Sequence, residues 1–259
     1  MVSQPRPSRR RPFGLSGLFS LFSARAPAPE EAHRIYAVGD VHGRADLLDM
    51  LLDKILRDAA SAPNACSLVF VGDYIDRGQD SRGVVDRMLH LPSGFETYCL
   101  RGNHEQALLD FLEDPTTYRV WRRYGAAETL QSYDVEPPSE DEAAISIARD
   151  ELAEKIPASH LRFMRDLPLS VEIGAYHFVH AGVRPGVALE DQSAEDMLWI
   201  RDEFLNSTED FGKVIVHGHT PTDRPVCRSN RIGIDTRAFS SGCLTAVVLD
   251  GVGARFLST

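Results

Sequence analysis

Five short blocks hold the residues that could do chemistry. They are Gly39-Asp40-Val41-His42-Gly43, Gly72-Asp73-Tyr74-Ile75-Asp76-Arg77-Gly78, Arg101-Gly102-Asn103-His104-Glu105, His180-Ala181-Gly182 and His217-Gly218-His219-Thr220. Each follows a run of apolar and β-branched residues, so each is expected where a strand stops. In α/β sheets that is where ligands bind. The blocks supply Asp, Asn and His without a thiolate. Such a donor set suits intermediate divalent metals, manganese first with iron or zinc as alternatives, and argues against a structural zinc site. Two metal ions holding a phosphate ester is the chemistry this set points to. The plainer readings make Asp40 and Asp73 helix caps and His104 a helix-start residue. They would account for one block, but poorly for five in order.

The elements that must position these blocks are legible nearby. Ile35–Val38, Leu68–Val71 and Thr97–Leu100 read as strands. Residues 45–59, 81–91 and 104–113 read as helices, the first with Leu48, Leu51, Leu52 and Ile55 on one face. This is βαβαβα at crossover-unit spacing. Residues 115–170 change character, with an acidic stretch and helical patterns near 143–155 and 159–166, and are read as a helical insertion. Strands return at 175–179, 213–216, 231–234, 245–249 and 254–257. The last two flank Asp250-Gly251, a hairpin signal. These later strands predict a second sheet packed on the first.

The chain has 259 residues, 43% hydrophobic and 25% charged, which fits one large catalytic domain over 33–259. A net charge of −10 argues against nucleic acid as a partner. The four cysteines show no paired spacing, which suggests reduced thiols and a cytoplasmic setting. Residues 1–32 read as a basic tail with five arginines and no acid before Glu30. Leu15, Leu18, Phe19 and Phe22 share one helical face there. Three readings stay open: a disordered tail, a short helix that touches a membrane surface or a partner protein, and a signal peptide.

The five ordered blocks resemble the phosphoprotein phosphatase family of calcineurin-like metallophosphoesterases, in a form like that of bacterial serine/threonine phosphatases. The resemblance spans most of residues 34–220 and implies an α/β fold, a four-layer αββα sandwich flanked by helices. It implies a first metal on Asp40, His42 and Asp73. A second metal would be held by Asp73, Asn103, His180 and His219, with Asp73 bridging. His219 is preferred to His217 on this ground. Arg77, Arg101 and Arg201 match phosphate-binding positions, as does Asn103. His104 matches the general acid and Asp76 the carboxylate that orients it. A hydroxide shared by the two metals would attack phosphorus in line.

The substrate expected from this resemblance is phosphoserine or phosphothreonine in proteins, because Asp76 and Glu105 stand where the nucleotide-cleaving relatives differ. The alternatives are a symmetrical diadenosine tetraphosphate hydrolase, a broad-specificity small-molecule phosphatase and a non-catalytic phosphoprotein-binding module. Departures at Ile234-Asp235-Thr236-Arg237 through Gly242 leave the substrate in question. His33, His90, His160 and His177 match no motif, and Trp121, Tyr124 and Trp199 are read as core rather than substrate platform.

Overall fold

The computed structural model describes residues 33–62, 65–250 and 253–259. The basic tail and Gly251 of the expected hairpin turn lie outside these residues. The first half alternates strand and helix: β1 (Arg34–Val38), α1 (Ala45–Ala59), β2 (Cys66–Phe70), α2 (Ser81–Met88), β3 (Phe95–Cys99) and α3 (Asn103–Glu113). β1, β2 and β3 run parallel in sequence order. Along β1 the residues alternate in destination. Tyr36 and Val38 pack against the helices, whereas Ile35 and Ala37 face the other sheet. α1 buries Leu47, Leu48, Leu51, Leu52 and Ile55 against the first sheet.

The insertion folds as α4 (Tyr118–Trp121), α5 (Ala126–Ser132), α6 (Glu142–Lys155) and α7 (Ala158–Asp166). It shares the core of the first sheet through Trp121, Leu130, Ile145, Leu152 and Met164. Asp141 starts α6 by accepting from the Ala144 amide at 3.1 Å, as an N-cap does.

β4 (Ser170–Ile173), β5 (Tyr176–Val179), α8 (Ala194–Trp199), α9 (Asp202–Leu205), β6 (Val214–His217), β7 (Val226–Cys227) and β8 (Arg231–Gly233) follow. The five strands form a mixed sheet in the order β4-β5-β6-β8-β7. After α10 (Ala238–Ser241) come β9 (Thr245–Asp250) and β10 (Gly253–Ser258). These two do not join the second sheet, as the sequence suggested. They pair antiparallel as a hairpin, and β9 adds antiparallel to β1, so the first sheet reads β10-β9-β1-β2-β3.

The sheets meet over Ile35, Val69, Val71, Tyr176, Phe178, Val216, Ile232 and Val247. On the far side of the second sheet, Ile215 and Val179 pack with Met197, Ile200 and Phe204 around α8 and α9. Helices, sheet, sheet and helices make the four layers expected. No helix among the described residues is long and apolar enough to cross a membrane.

Candidate metal centre

The site forms where β1, β2, β3, β5 and β6 end, so it draws on both sheets. Each chain segment must turn sharply as it leaves its strand. His42, Asp73, Asp76, Arg77 and His219 all have positive φ, between 46° and 71°. That region disfavours side chains with a Cβ, and non-glycine residues held in it cost on the order of 1–3 kcal/mol each. Strain of this kind concentrated at one place marks a backbone shaped for its side chains.

Two glycines are required by close approach. A Cβ on Gly102 would lie 2.1 Å from Asp73 Oδ1, and one on Gly218 would lie 2.0 Å from Asp40 Oδ1. Both carboxylates therefore rest directly on backbone.

The ligand candidates are all buried: Asp40, His42, Asp73, Asn103, His180 and His219. Asp73 faces two ways. Its Oδ2 is 3.5 Å from His42 Nε2, while its Oδ1 is 3.4 Å from His180 Nε2. On the first side Asp40 Oδ2 stands 4.0 Å from His42 Nε2. On the second, Asn103 Oδ1 is 2.8 Å from both His180 Nε2 and His219 Nδ1. The sequence-predicted ligands thus converge in two groups that share Asp73.

Hydrogen bonding shows that these groups fit cations. His42 Nδ1 is 2.9 Å from the Ile75 carbonyl, and His180 Nδ1 is 2.9 Å from that of Val71. A carbonyl only accepts, so both Nδ1 atoms carry the proton. The Nε2 lone pairs then point at carboxylate and amide oxygens that also only accept. His42 Nε2, which faces Asp73 and Asp40, is buried without a hydrogen-bond partner. Acceptors aimed at acceptors in a buried site are the arrangement that a positive ion completes.

The electrostatics agree. Burial holds the His42 imidazole well below its ordinary range and lowers His180 to about 3. Both stay neutral and able to ligate. Burial, with repulsion from Asp235 and Asp73, pushes Asp40 up, and burial with repulsion from Glu105 does the same to Asp73.

Beside the ligands, His104 Nδ1 is 2.6 Å from Asp76 Oδ2 and its Nε2 is 3.6 Å from Asp73 Oδ2. Burial raises Asp76 to about 7 despite hydrogen bonds from Thr129 and Trp121. Arg77 sits at the mouth with its guanidinium 4.9 Å over the Phe239 ring. Arg201 is exposed, yet its charge contributes to lowering His180 and His219. Arg101 is turned to its neighbours: its guanidinium donates to Gln106 Oε1 at 2.9 Å and to the Arg165 carbonyl at 2.6 Å.

His217 lies outside the ligand groups. Its Nδ1 is 3.1 Å from the Gly218 carbonyl, and its ring packs edge-on to Phe204 at 5.0 Å.

Glu105 has a structural task. Its carboxylate accepts from the amides of Asp73 (3.0 Å), Tyr74 (2.8 Å), Ile75 (3.3 Å) and Gly102 (2.9 Å). It fixes the loop that carries Asp73 to the start of α3, which carries Asn103.

Sequence reasoning missed one buried group. Asp235 follows β8 and faces Asp40 closely enough to raise it. Its position, a carboxylate just after an apolar strand, is the signal that found Asp40 and Asp73. Trp121 is buried as expected, whereas Tyr124 and Trp199 are only half-buried. Their rings pack at 5.5 Å between His104 and His219, at the mouth of the site.

The calcineurin-like phosphoesterase family matches residues 33–241. The chain belongs to that family. Among its relatives, the asymmetrical bis(5'-nucleosyl)-tetraphosphatase PrpE of Halalkalibacterium halodurans is 29% identical over 229 residues, covering 81% of this chain and 87% of the relative. Serine/threonine-protein phosphatase 1 of Salmonella typhimurium is 29% identical over 219 residues, covering 82% and 89%. A crystal structure provisionally described as a diadenosine tetraphosphatase superposes with a TM-score of 0.60 at 22% identity, covering 89% of this chain and 95% of that one. Enzymes of this family work with two divalent metals. Among the described residues two clusters of potential ligands, His42-Asp73-His104 and Asp73-His180-His219, share Asp73 and agree with that requirement, and the chain is a metallophosphoesterase.

Proposed function

We propose that the chain hydrolyses phosphate monoesters of alcohols, with phosphoserine and phosphothreonine in proteins as its substrates. The observation that carries this reading is the buried His104–Asp76 pair beside the metal ligands. An alkoxide is a poor leaving group and gains much from a proton delivered as the bond breaks. A nucleotide phosphate leaves as a stable anion and gains little.

Asp40, His42 and Asp73 would hold one metal, and Asp73, Asn103, His180 and His219 the other. When bound, the pair supplies Lewis-acid activation of water and charge neutralisation at the phosphoryl group. Manganese suits this oxygen and imidazole donor set, as iron and zinc also would.

The chain's own residues supply the rest. Asp73 holds the two ligand groups at a fixed spacing. Arg77 and Arg201 at the mouth engage the phosphoryl oxygens with guanidinium donors and offset the charge that develops there. Arg101 would join them on release from both Gln106 and the Arg165 carbonyl. Asp76 accepts from His104 Nδ1 and keeps Nε2 directed at the centre. With the ring protonated at both nitrogens and the Asp76 carboxylate as its counter-charge, the Nε2 proton passes to the departing serine or threonine oxygen and leaves the ring neutral.

A second reading, hydrolysis of dinucleoside tetraphosphates, is favoured by the name of the relative from H. halodurans. A side-by-side assay with manganese separates the two. The expected order of kcat/KM is phosphoserine peptide above diadenosine tetraphosphate, with both lost on chelation. A preference for diadenosine tetraphosphate would overturn the protein-phosphatase reading. Turnover that survives chelation would overturn the metal-dependent one.

A further inference from the structure

The insertion does more than cover one face of the fold. We propose that Trp121 and Thr129, on α4 and α5, are positioning residues that aim His104 by clamping the Asp76 carboxylate. The proposal rests on the reading of His104 as the proton donor.

Both oxygens of Asp76 are held from the insertion. Trp121 Nε1 donates to Oδ2 at 2.8 Å, the same oxygen that receives His104 Nδ1 at 2.6 Å. Thr129 Oγ1 donates to Oδ1 at 2.6 Å. The backbone is held too. The Asp76 amide donates to Thr129 Oγ1 at 2.9 Å and to Ser81 Oγ at 3.0 Å, and these hydroxyls are 2.9 Å apart. The Arg77 amide donates to the Gly125 carbonyl at 3.2 Å, a further tie to the insertion.

Asp76, Trp121 and Thr129 are all at most 1% exposed, so water does not replace a lost bond. Asp76 also has a left-handed backbone, φ 71°, which only such over-determination sustains.

A carboxylate held at one oxygen can turn about its last side-chain bond. Held at both, it presents a fixed plane to His104 Nδ1. The imidazole then has one orientation, and its far nitrogen one direction. Trp121 packs on Phe111 of α3 at 5.1 Å and on Tyr118 of α4 at 6.4 Å, so the indole itself is anchored between α3 and the insertion. The insertion is thus linked to proton delivery through two side-chain bonds.

A residue that matters only for folding lowers every rate alike. One that aims the proton donor matters in proportion to how badly the leaving group needs the proton. The test compares the wild type with Trp121→Phe, Thr129→Val and His104→Asn, each loaded with manganese. Substrates are p-nitrophenyl phosphate, whose leaving group is good, phenyl phosphate, and a phosphoserine peptide, whose leaving group is poor.

Trp121→Phe keeps an aromatic ring and deletes the donor. Thr129→Val deletes the hydroxyl at similar volume. For each, kcat on the phosphoserine peptide is expected to fall about tenfold or more, as for loss of a hydrogen bond to a buried charge. On p-nitrophenyl phosphate kcat stays within about twofold, with KM unchanged throughout. Thr129→Ser, which restores the hydroxyl, should recover the peptide rate.

Equal fractional losses across the three substrates, or no loss, would overturn the proposal. If His104→Asn is steeply dependent on leaving group and the two insertion variants are not, only the positioning role falls. A flat response from His104→Asn would overturn the proton-donor reading and the proposal with it. Should Trp121→Phe fail to fold by circular dichroism, the Thr129→Val and Thr129→Ser pair decides alone.

Discussion

Nδ1 of His104 lies 2.6 Å from Oδ2 of Asp76, and both residues are closed to solvent. The contact assigns the ring its orientation: Nδ1 is committed to the carboxylate, so Nε2 faces the centre. His104→Asn removes the proton donor and leaves the ligand groups in place. On a phosphoserine peptide, kcat should fall by about 10²–10⁴. Metal content by elemental analysis should match the wild type. A variant with wild-type turnover would remove His104 from the reaction.

Asp73 presents one oxygen to each ligand group. Its replacement should therefore be felt on both sides. In Asp73→Asn, one oxygen becomes an amide NH2 that cannot ligate, and the shared negative charge is lost. Manganese bound per chain at equilibrium dialysis should drop at both positions, with activity lost in parallel. Two fully retained metals would show that Asp73 does not bridge.

Away from the centre, Asp58 at the end of α1 ties two strands, β1 and β10, to that helix. It accepts from Arg34 at 3.1 Å, Tyr36 at 2.6 Å and Arg255 at 2.6 Å. Burial raises its carboxyl, but hydrogen bonds from Arg255 and Tyr36 outweigh that and hold it below the ordinary range. A carboxylate depressed on folding adds stability above its unfolded pKa of about 3.9, and that stability is lost as pH falls through the folded value. Asp58→Asn should cost about 1–2 kcal/mol near neutral pH by urea unfolding. The gap to the wild type should close below about pH 4. A gap that is constant down to pH 3 would show that the charge of Asp58 contributes nothing.

Much of this was legible in the sequence, for identifiable reasons. Asp40, Asp73 and Asn103 each follow a short strand-forming run within a few residues, so their common location follows from strand polarity alone. The Leu48, Leu51, Leu52 and Ile55 stripe of α1 named its buried face, and all four are buried. Other features carry no local signal. Thr245–Leu249 reads as a strand, but its apolar run does not say which sheet it joins, and it returned to β1.

β4 went unseen because Ser170–Ile173 is half-exposed and holds a glutamate, and β7 is only two residues long. The insertion was legible as helical. Its bonds to Asp76 were not, because Trp121 Nε1 and Thr129 Oγ1 meet that carboxylate across 45 and 53 residues of chain. Glu105 marked a motif, whereas its four amide partners became evident only with the loop folded around it.

The placement of β9 has a temporal consequence. It lies directly against β1, and the carbonyl of Thr245 receives the amide of Gly39 at 3.0 Å, one residue before Asp40. Translation delivers β1 early and β9 long afterwards, so a contact of this sequence separation forms late. Until then the first ligand loop has sheet support from β2 on one side alone. A chain still on the ribosome therefore carries all five motifs before it can hold them in place.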